Sequence, residues 1–349
     1  MNLSILQAFE KAREIGASDL YLGEEIVPTV RVDGDLEDFP FPVEKISEEA
    51  VIEIIPPRKK ENWEKGKDVD FSMEINERRY RVNIYRDRKG IQLTCRIIPS
   101  SIPTLEELGF PQAVKNLTRL RQGLILVTGP SGSGKSTTLA AMIHEINMNF
   151  SRNIITIEDP IEFVHENIKS RIIQRELGRD TFSFHNALKS ALREDPDVIM
   201  IGELRDRETI SLALQAAETG HLVLSTLHIH RAFHTVDRII NVFPPYQQFQ
   251  IRSMLAEMLK GVISQQLIKR EDRKGRIAIL EILLWTPALA SLIREDKTYR
   301  IPSLMQMGKK KFGMKLLEDS LLELVARGII SEATFHSFVQ KKGMIRVEE

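Results

Sequence analysis

The sequence of 349 residues has little of several things, and each shortage excludes a class of protein. It contains one cysteine, Cys95, which excludes an internal disulfide and a zinc site built from cysteines. It has no apolar run near the ~18 residues that a membrane span needs. It has no excess of charge, because 49 basic residues balance 49 acidic ones. A dedicated nucleic-acid-binding protein usually carries a basic excess, so this balance argues against that class.

Two more absences concern the compartment. The charges of Glu10, Lys11, Arg13 and Glu14 interrupt the N-terminal stretch, so a signal-peptide pattern is missing. A single cysteine is typical of a reducing compartment. We therefore expect a cytoplasmic protein that is peripheral to a membrane only through partners.

What the sequence does contain is the phosphate-binding pattern G-x-x-x-x-G-K-S at residues 129–136. The apolar run at 124–127 predicts a buried strand before it, and residues 137–143 predict a helix after it. In a strand, glycine-rich turn and helix, backbone N–H groups and the helix N-terminus can bind phosphate oxygens. The alternative is a glycine-rich turn without a ligand, which the flanking strand and helix disfavour.

The residues of this loop have separate predicted tasks in binding ATP and Mg²⁺. Lys135 is expected to reach the β- and γ-phosphates, and the Ser136 hydroxyl is expected to bind Mg²⁺. The predicted nucleotide-binding segment comprises Gly129, Pro130, Ser131, Gly132, Ser133, Gly134, Lys135, Ser136 and Thr137.

Composition and periodicity divide the chain into regions. Residues 1–100 predict a small α+β domain with an antiparallel sheet, and residues 101–112 predict a linker. Strands and helices alternate over 113–270, which predicts an α/β core with a doubly wound, mostly parallel sheet and ligand groups at the strand carboxyl ends. Residues 271–349, and most of the chain from about 246, are expected to be helical.

ATP hydrolysis also needs acidic residues at strand ends. Glu203 follows the apolar strand predicted at 198–201, after Gly202 at a position where aspartate is common. Glu158 and Asp159 end another predicted strand and can supply the metal contact that is missing at Gly202. The alternative for Glu203 is a helix-capping carboxylate.

Two histidines and two arginines complete the candidates. His221 and His228 bracket the strand predicted at 222–226, and a histidine at a strand's carboxyl end could contact a γ-phosphate. We count both as candidate catalytic residues with Glu203 and Glu158; ordinary polar residues at strand ends are the alternative. Arg81 and Arg96 lie on predicted strands of the first domain, and from composition alone they are unremarkable.

Together, these motifs resemble the type II/IV secretion ATPase family, and within it most closely the ATPases that retract type IV pili. The phosphate loop is similar to the family's Walker A motif, and residues 157–162 are similar to its Asp box. Residues 195–206 resemble its atypical Walker B motif, and residues 219–228 resemble its His box. The resemblance covers nearly the whole chain.

The resemblance implies a homohexameric ring with a PAS-like N-terminal domain, a RecA-like P-loop core and ATP bound between domains. It implies that Glu203 is the catalytic glutamate, that Glu158 helps to hold Mg²⁺, and that Arg81 and Arg96 close onto the nucleotide. It implies an inner-membrane platform protein of the pilus machine as partner and pilus disassembly as output. The relatives that assemble pili usually carry a tetracysteine metal motif and extra N-terminal domains, so the single cysteine and short N-terminus favour the retraction branch.

Two stretches depart from that branch. Residues 288–295 lack an arginine and an asparagine that it usually carries, and residues 229–234 differ from its usual threonine, asparagine and small residues. We expect a helix at 288–295 with Leu289, Leu292 and Ile293 on its apolar side and Ala290 at the edge. On that basis Ala290→Arg should leave ATP turnover within about threefold. An accessory ATPase subunit of a pilus or type II secretion system, or a nucleic-acid-translocating ATPase, are the alternatives.

Overall fold

The computed structural model describes residues 2–76, 78–98 and 101–341, and the chain divides into two compact units, Met1–Ser101 and Ile102–Glu349. The division falls at the start of the predicted linker. Leu105 is buried in the core of the second unit, so most of that predicted linker belongs to the second unit. Residues 342–349 of the predicted helical tail lie outside the described residues.

The first unit is a six-stranded antiparallel sheet with three helices. The sheet has the order β3-β2-β1-β6-β5-β4. Alternate residues of β5, such as Tyr80, Val82 and Ile84, are fully buried, because one face of the sheet packs on the apolar core. In chain order the elements are α1 (Ile5–Glu14), β1 (Asp19–Gly23), β2 (Thr29–Val32), β3 (Asp35–Asp38), α2 (Glu48–Ile54), α3 (Pro57–Glu64), β4 (Val69–Ile75), β5 (Arg78–Asp87) and β6 (Gly90–Ile97).

The second unit begins with an alternation of strands and helices. In chain order these are α4 (Gln112–Leu117), β7 (Gly123–Thr128), α5 (Lys135–Asn149), β8 (Asn153–Glu158), β9 (Arg171–Glu176), α6 (Phe184–Ala191), β10 (Val198–Ile201), α7 (Arg207–Glu218), β11 (Leu222–Leu227) and α8 (His234–Ile240). The remaining elements are α9 (Pro245–Met258), β12 (Leu259–Lys269), β13 (Arg276–Leu284), α10 (Pro287–Arg294), a 3₁₀ turn (Thr298–Arg300), α11 (Ile301–Phe312), α12 (Leu317–Ala326) and α13 (Glu332–Lys341).

These strands form a seven-stranded sheet in the order β13-β12-β7-β11-β10-β8-β9. All neighbours are parallel except β13, which is antiparallel to β12. Strands β7, β10 and β11 are buried along their whole length, as expected for a parallel sheet with both faces covered. The predicted fold class is therefore confirmed. The carboxyl ends of β7, β8, β10 and β11 meet at one edge, where α/β sheets bind ligands.

The prediction of a mostly helical chain from about residue 246 is wrong for two segments. Strands β12 and β13 extend the sheet beyond β7, and they pair with each other over nine residue pairs. The β13 sequence is a nearly continuous apolar run, and β12 has apolar residues on both sides of a polar triplet. Periodicity alone cannot distinguish such segments from a buried helix. Pairing of β12 with β7 and of β13 with β12 decides in favour of strands. The helices at α9 to α13 agree with the prediction, and none of the helices in the described part of the chain is both long and apolar enough to cross a membrane.

The prediction for Ala290 is also corrected. Helix α10 forms at the expected place, but its buried face carries Leu289, Ala290 and Ile293, while Leu292 is partly exposed. Ala290 is only 2 % exposed and belongs to the main apolar core of the second unit. The buried face is rotated relative to the predicted one because Leu289, Ala290 and Ile293 pack together into the main apolar core, and the buried Thr286 caps the helix.

Ala290→Arg is therefore expected to destabilise the protein, contrary to the expectation from the sequence. A long charged side chain at this position must displace core atoms, and overpacking of this kind costs about 1–3 kcal/mol, with a further cost if the charge stays buried. Urea unfolding of the variant measures the loss. Leu292→Arg, on the partly exposed side of the same helix, is the control and should cost less. Equal stability of Ala290→Arg and wild type would contradict the buried placement.

Candidate functional site

The phosphate loop lies between β7 and α5, at the carboxyl edge of the sheet, and its glycines are required by geometry. Gly129 has φ 146°, and a Cβ atom there would lie 2.2 Å from the backbone oxygen of Gln265. Gly134 has φ 86° and immediately precedes α5. Both backbone conformations disfavour other residues, because a side chain would clash or be strained. The glycines therefore let the backbone of the loop come close to a ligand at the start of α5.

Lys135, the first residue of α5, is folded back over this loop. It is 9 % exposed, and its ammonium group donates to the carbonyls of Gly129 at 3.0 Å and Pro130 at 2.9 Å. Burial lowers the pKa of Lys135, while the nearby carboxylates of Glu203 and Glu162 raise it. An anionic ligand at the loop would stabilise the charged form of this buried lysine.

Two hydroxyl groups of the loop region fit a site that takes a polar ligand. Thr128 Oγ1 and Ser133 Oγ are buried and have no hydrogen-bond partner among the described residues. A buried polar group without a partner costs about 1–3 kcal/mol unless a ligand or water satisfies it. Ser136 is exposed at the start of α5, where its hydroxyl is accessible to a metal ion. These residues fit the predicted binding of nucleotide and Mg²⁺.

Glu203 lies two residues beyond the end of β10, close to the phosphate loop. Its Oε2 accepts a hydrogen bond from Arg205 Nε at 2.9 Å, and its Oε1 lies 3.4 Å from His228 Nε2. Helix α7 is capped by Asp206, whose Oδ1 accepts from Thr209 N at 2.8 Å. Capping is therefore done by Asp206, and the capping alternative for Glu203 is not what the structure shows.

His228 joins the lysine to the glutamate. Its Nδ1 lies 3.5 Å from Lys135 Nζ, while its Nε2 faces Glu203. The ends of strands β7, β10 and β11 thus bring Lys135, Glu203 and His228 together. These three residues are far apart in sequence, and the parallel sheet is what makes them neighbours.

His221 lies at the other edge of the sheet. It immediately precedes β11, whose first residue pairs with Gly123 and whose last residue pairs with Thr128, just before the phosphate loop. The Nδ1 atom of His221 contacts the Ala216 carbonyl at 2.9 Å. A strand of six residues is about 17–20 Å long, so the structure does not bring His221 to the phosphate loop of the same chain.

Glu158 ends β8 and is the most strongly buried carboxyl of the site. It is 8 % exposed, and its Oε1 accepts hydrogen bonds from Thr156 Oγ1 at 2.7 Å and Gln174 Nε2 at 3.0 Å. Burial raises the pKa of Glu158 to about 7, and the charge of Glu162 acts in the same direction. A metal ion would lower this pKa, because positive charge favours the carboxylate.

Glu158→Gln is expected to change how stability depends on pH. As the pH rises from 4.5 to about 7, the unfolded chain ionises Glu158 while the folded chain keeps the proton. The unfolded state is then favoured, so wild-type stability falls across this window by about 3 kcal/mol. Glutamine has no titration, so the variant should gain stability relative to wild type between about pH 5 and about pH 8. Urea unfolding without Mg²⁺ measures this, and an unchanged difference at the two pH values would contradict it.

Arg81 and Arg96 belong to the first unit, where they are direct cross-strand neighbours on β5 and β6. Arg81 pairs with Asp70 at 2.6 Å, and Arg96 pairs with the buried carboxylate of Asp19 at 2.9 Å. Like charges directly opposite each other on a sheet are destabilising, and the two acids offset that repulsion. The two arginines therefore lie side by side on the sheet, each paired with a carboxylate.

Two residues that the sequence did not single out also belong to the site. Gln265 of β12 donates from Nε2 to the Ser133 carbonyl at 2.6 Å and accepts from Thr138 Oγ1 at 2.8 Å, so it holds the phosphate loop and the first turn of α5. Glu162 acts electrostatically on both Lys135 and Glu158. The available signal for Gln265 was the polar triplet at 264–266 inside an otherwise apolar run. Among the described residues no cluster of three or more histidine, cysteine, aspartate or glutamate side chains is prearranged for a metal.

Several known proteins are similar to this chain over nearly its whole length. A family model described as type II/IV secretion system protein matches residues 5–335. The type IV pilus retraction ATPase PilT of Pseudomonas aeruginosa is 48 % identical over 334 residues, covering 95 % of this chain and 96 % of that protein. A twitching motility protein of Neisseria gonorrhoeae is 49 % identical over 308 residues, covering 87 % and 82 %. A crystal structure of the pilus retraction motor PilT with bound ADP superimposes with a TM-score of 0.84 at 42 % identity, covering 95 % and 96 %.

Proposed function

This chain belongs to the type II/IV secretion system protein family, and we propose that it is an ATP-hydrolysing motor that retracts type IV pili. The observation that carries the proposal is the convergence of Lys135, Glu203 and His228 at one sheet edge. That convergence occurs in a chain 48 % identical to a pilus retraction ATPase over nearly its whole length.

The phosphate loop binds ATP through its backbone N–H groups, the N-terminus of α5 and the Lys135 ammonium group. Lys135 already lies beside the loop carbonyls, so little rearrangement is needed for it to meet a phosphate oxygen. Ser136 and Glu158 would hold Mg²⁺, which neutralises negative charge on the phosphates when bound. Glu158 must lose its proton to do so, and its buried position makes that loss depend on the metal.

Glu203 orients and activates the attacking water. Its carboxylate is held on one side by Arg205 and faces His228 on the other, so its position is fixed before a water binds. His228 lies between Glu203 and Lys135 and is placed to respond when the γ-phosphate leaves. Glu158 is less suited to activate water, because its carboxyl is buried and accepts two hydrogen bonds.

The active form is proposed to be a homohexamer in which Arg81 and Arg96 contribute to the nucleotide site. The placement of Arg81 and Arg96 directly opposite each other on the first unit supports this, because arginine neutralises charge on a transferring phosphoryl group. The proposed partner is an inner-membrane platform protein of the pilus machine, and no nucleic acid is expected. Rotation of this platform protein would drive pilus disassembly.

Arg96→Ala is expected to lower ATP turnover far more than thermal stability. Removal of Arg96 leaves Asp19 with the hydroxyl of Ser18, which donates to Asp19 Oδ2 at 2.8 Å, so the first unit should stay folded. Removing a guanidinium at a phosphoryl-transfer site typically costs about 10³-fold or more in rate. Arg86→Ala, which removes another ion-paired arginine of the same sheet, is the control. A fully active, monodisperse monomer of wild type would contradict the oligomeric site.

One experiment tests the proposed function as a whole. ATP turnover of the purified protein is measured, and the same sample is imaged for six-membered rings. The gene is then expressed in a twitching bacterium that lacks its own retraction ATPase. Turnover, rings and restored twitching are the expected results. Turnover that is absent with or without Mg²⁺ would overturn the proposal, and turnover stimulated by DNA would favour a nucleic-acid translocase.

The accessory alternative is left open by the departure of residues 288–295 from the retraction branch. An accessory subunit would bind ATP but restore twitching only when a retraction ATPase is also present. Expression with and without an active motor in the same host separates the two roles.

A further inference from the structure

The loop that follows β11 carries an arginine with two carboxylate partners from different elements. Arg231 Nε donates to Glu281 Oε1 of β13 at 3.0 Å, and its Nη2 lies 3.1 Å from Glu318 Oε1 of α12. Arg231 is 19 % exposed, and the side chain of Glu281 is fully buried. The arginine therefore links the loop to the sheet and to the C-terminal helices at once.

The backbone on both sides of Arg231 is held as well. The backbone N–H of Ala232 donates to Glu281 Oε2, and Ser264 Oγ of β12 donates to the His230 carbonyl at 3.0 Å. Three consecutive residues of the loop are thus fixed by side chains of β12, β13 and α12. A loop held at this many points keeps the residues before it in a defined position.

The residue whose position is at stake is His228, three residues before Arg231. His228 lies 3.5 Å from Lys135 Nζ and 3.4 Å from Glu203 Oε1. The last strand residue, Leu227, accepts a hydrogen bond from Gly129 N at 3.3 Å, so the same segment also contacts the phosphate loop. A displacement of the loop at Arg231 would therefore reach both the histidine and the phosphate loop.

Helices α12 and α13 pack in an apolar cluster of their own, separate from the main core of the second unit. Leu317, Leu321 and Val339 of the two helices are buried there against Ile279 of β13. Apolar packing of this kind has no direction and does not sense charge. The pair of Arg231 and Glu318 is a directional contact between these helices and residues 228–233, the loop after β11 that we call the catalytic loop.

We infer that Arg231 is a positioning residue that couples helices α12 and α13 to the catalytic loop carrying His228. The inference rests on the proposed ATPase function. A movement of the two helices shifts Glu318, Glu318 shifts Arg231, and Arg231 shifts the loop. Nucleotide state acts in the other direction through the same contacts, because coupling between two sites is reciprocal.

Arginine is the side chain that this linkage requires. Its planar guanidinium can donate to two carboxylates at fixed angles, whereas a lysine ammonium is a single charged point on a flexible stem. Removing Arg231 altogether would leave Glu281 buried without its cation, and such a variant can fail to fold. Glu318 is partly exposed, so its substitution separates the coupling from folding.

The first experiment compares Glu318→Gln with Glu323→Gln. Both residues lie on α12 and both are ion-paired, but Glu323 pairs with Lys315 and does not contact the loop. Glu318→Gln is expected to lower kcat about fivefold, with the KM for ATP and the Tm equal to those of Glu323→Gln. Equal kcat in the two variants, or a loss in Glu318→Gln that follows a lower Tm, would overturn the inference.

The second experiment measures the coupling directly by amide hydrogen exchange, with and without a non-hydrolysable ATP analogue. In wild type the analogue should slow exchange in residues 317–326, and Glu318→Gln should lose this effect while the phosphate loop is still protected. Arg231→Lys, which keeps the charge, should show an intermediate effect. Protection of 317–326 that is equal in wild type and Glu318→Gln would overturn the inference. A wild type without turnover would instead refute the proposed function, so the two failures are distinct.

Discussion

Lys135→Ala is expected to abolish ATP turnover. The wild-type ammonium group is buried beside the loop carbonyls of Gly129 and Pro130. In the alanine variant, little water can reach this position to take the place of the ammonium group. A charge-assisted hydrogen bond to phosphate is about twice as strong as a neutral one, and alanine removes it together with the compensating positive charge. Both ATP binding and the stabilisation of negative charge in the transition state should be lost.

Steady-state ATP turnover and equilibrium binding of a fluorescent ATP analogue measure this effect. The Lys135 side chain also fastens the loop, so the Tm is recorded to show that the variant is folded. Lys297→Ala, which removes an exposed lysine paired with Glu295, is the matched control and should be active. ATP hydrolysis near the wild-type rate in Lys135→Ala would refute the assignment of this loop as the catalytic nucleotide site.

Glu203→Gln is expected to keep ATP binding and to lose hydrolysis. The amide has nearly the same shape and can still accept the hydrogen bond from Arg205, so the surroundings are preserved. It cannot take a proton or orient water as strongly as a carboxylate, and such losses typically cost about 10²–10⁴-fold in rate. The protein should therefore bind ATP and hold it.

Asp206→Asn, three residues later, serves as the comparison because Asp206 caps α7. Asparagine is also a good cap, so Asp206→Asn should be nearly as active as wild type, whereas Asp206→Ala should lose about 1 kcal/mol of stability. Loss of ATP binding together with turnover in Glu203→Gln would show that Glu203 is structural. Turnover that survives would move the catalytic assignment to Glu158.

The strand–loop–helix motif was predictable because it is local. The glycines, Lys135 and Ser136 are consecutive, and the apolar run before them and the helix after them follow from short-range pattern. The places of Glu203 and Glu158 were also predictable, because each lies at the carboxyl end of an apolar strand and parallel strands end at a common edge. Composition and the spacing of apolar residues also predicted the two units and the parallel sheet.

The prediction failed where pairing or packing between distant segments decides. The strands β12 and β13 lie in a region predicted to be mostly helical, because only the pairing of β12 with β7 and of β13 with β12 distinguishes them from buried helices. Ala290 was predicted to lie at the edge of the apolar side of its helix, but it is buried. The sequence pattern missed this because the orientation of α10 is set by the core that it contacts. His221 was grouped with His228, although the strand between them puts the two at opposite edges of the sheet.

The sequence by itself determined that this chain has a phosphate loop in an α/β sheet with carboxylates at the strand ends. These features follow from a motif of consecutive residues and from the spacing of apolar residues along the chain. Tertiary structure alone decided that Gln265 fastens the loop, that Asp206 and not Glu203 caps α7, and that Arg231 reaches Glu281 and Glu318. Each of these contacts depends on where a side chain points after distant elements have packed. The pattern of residues along the chain does not contain that information.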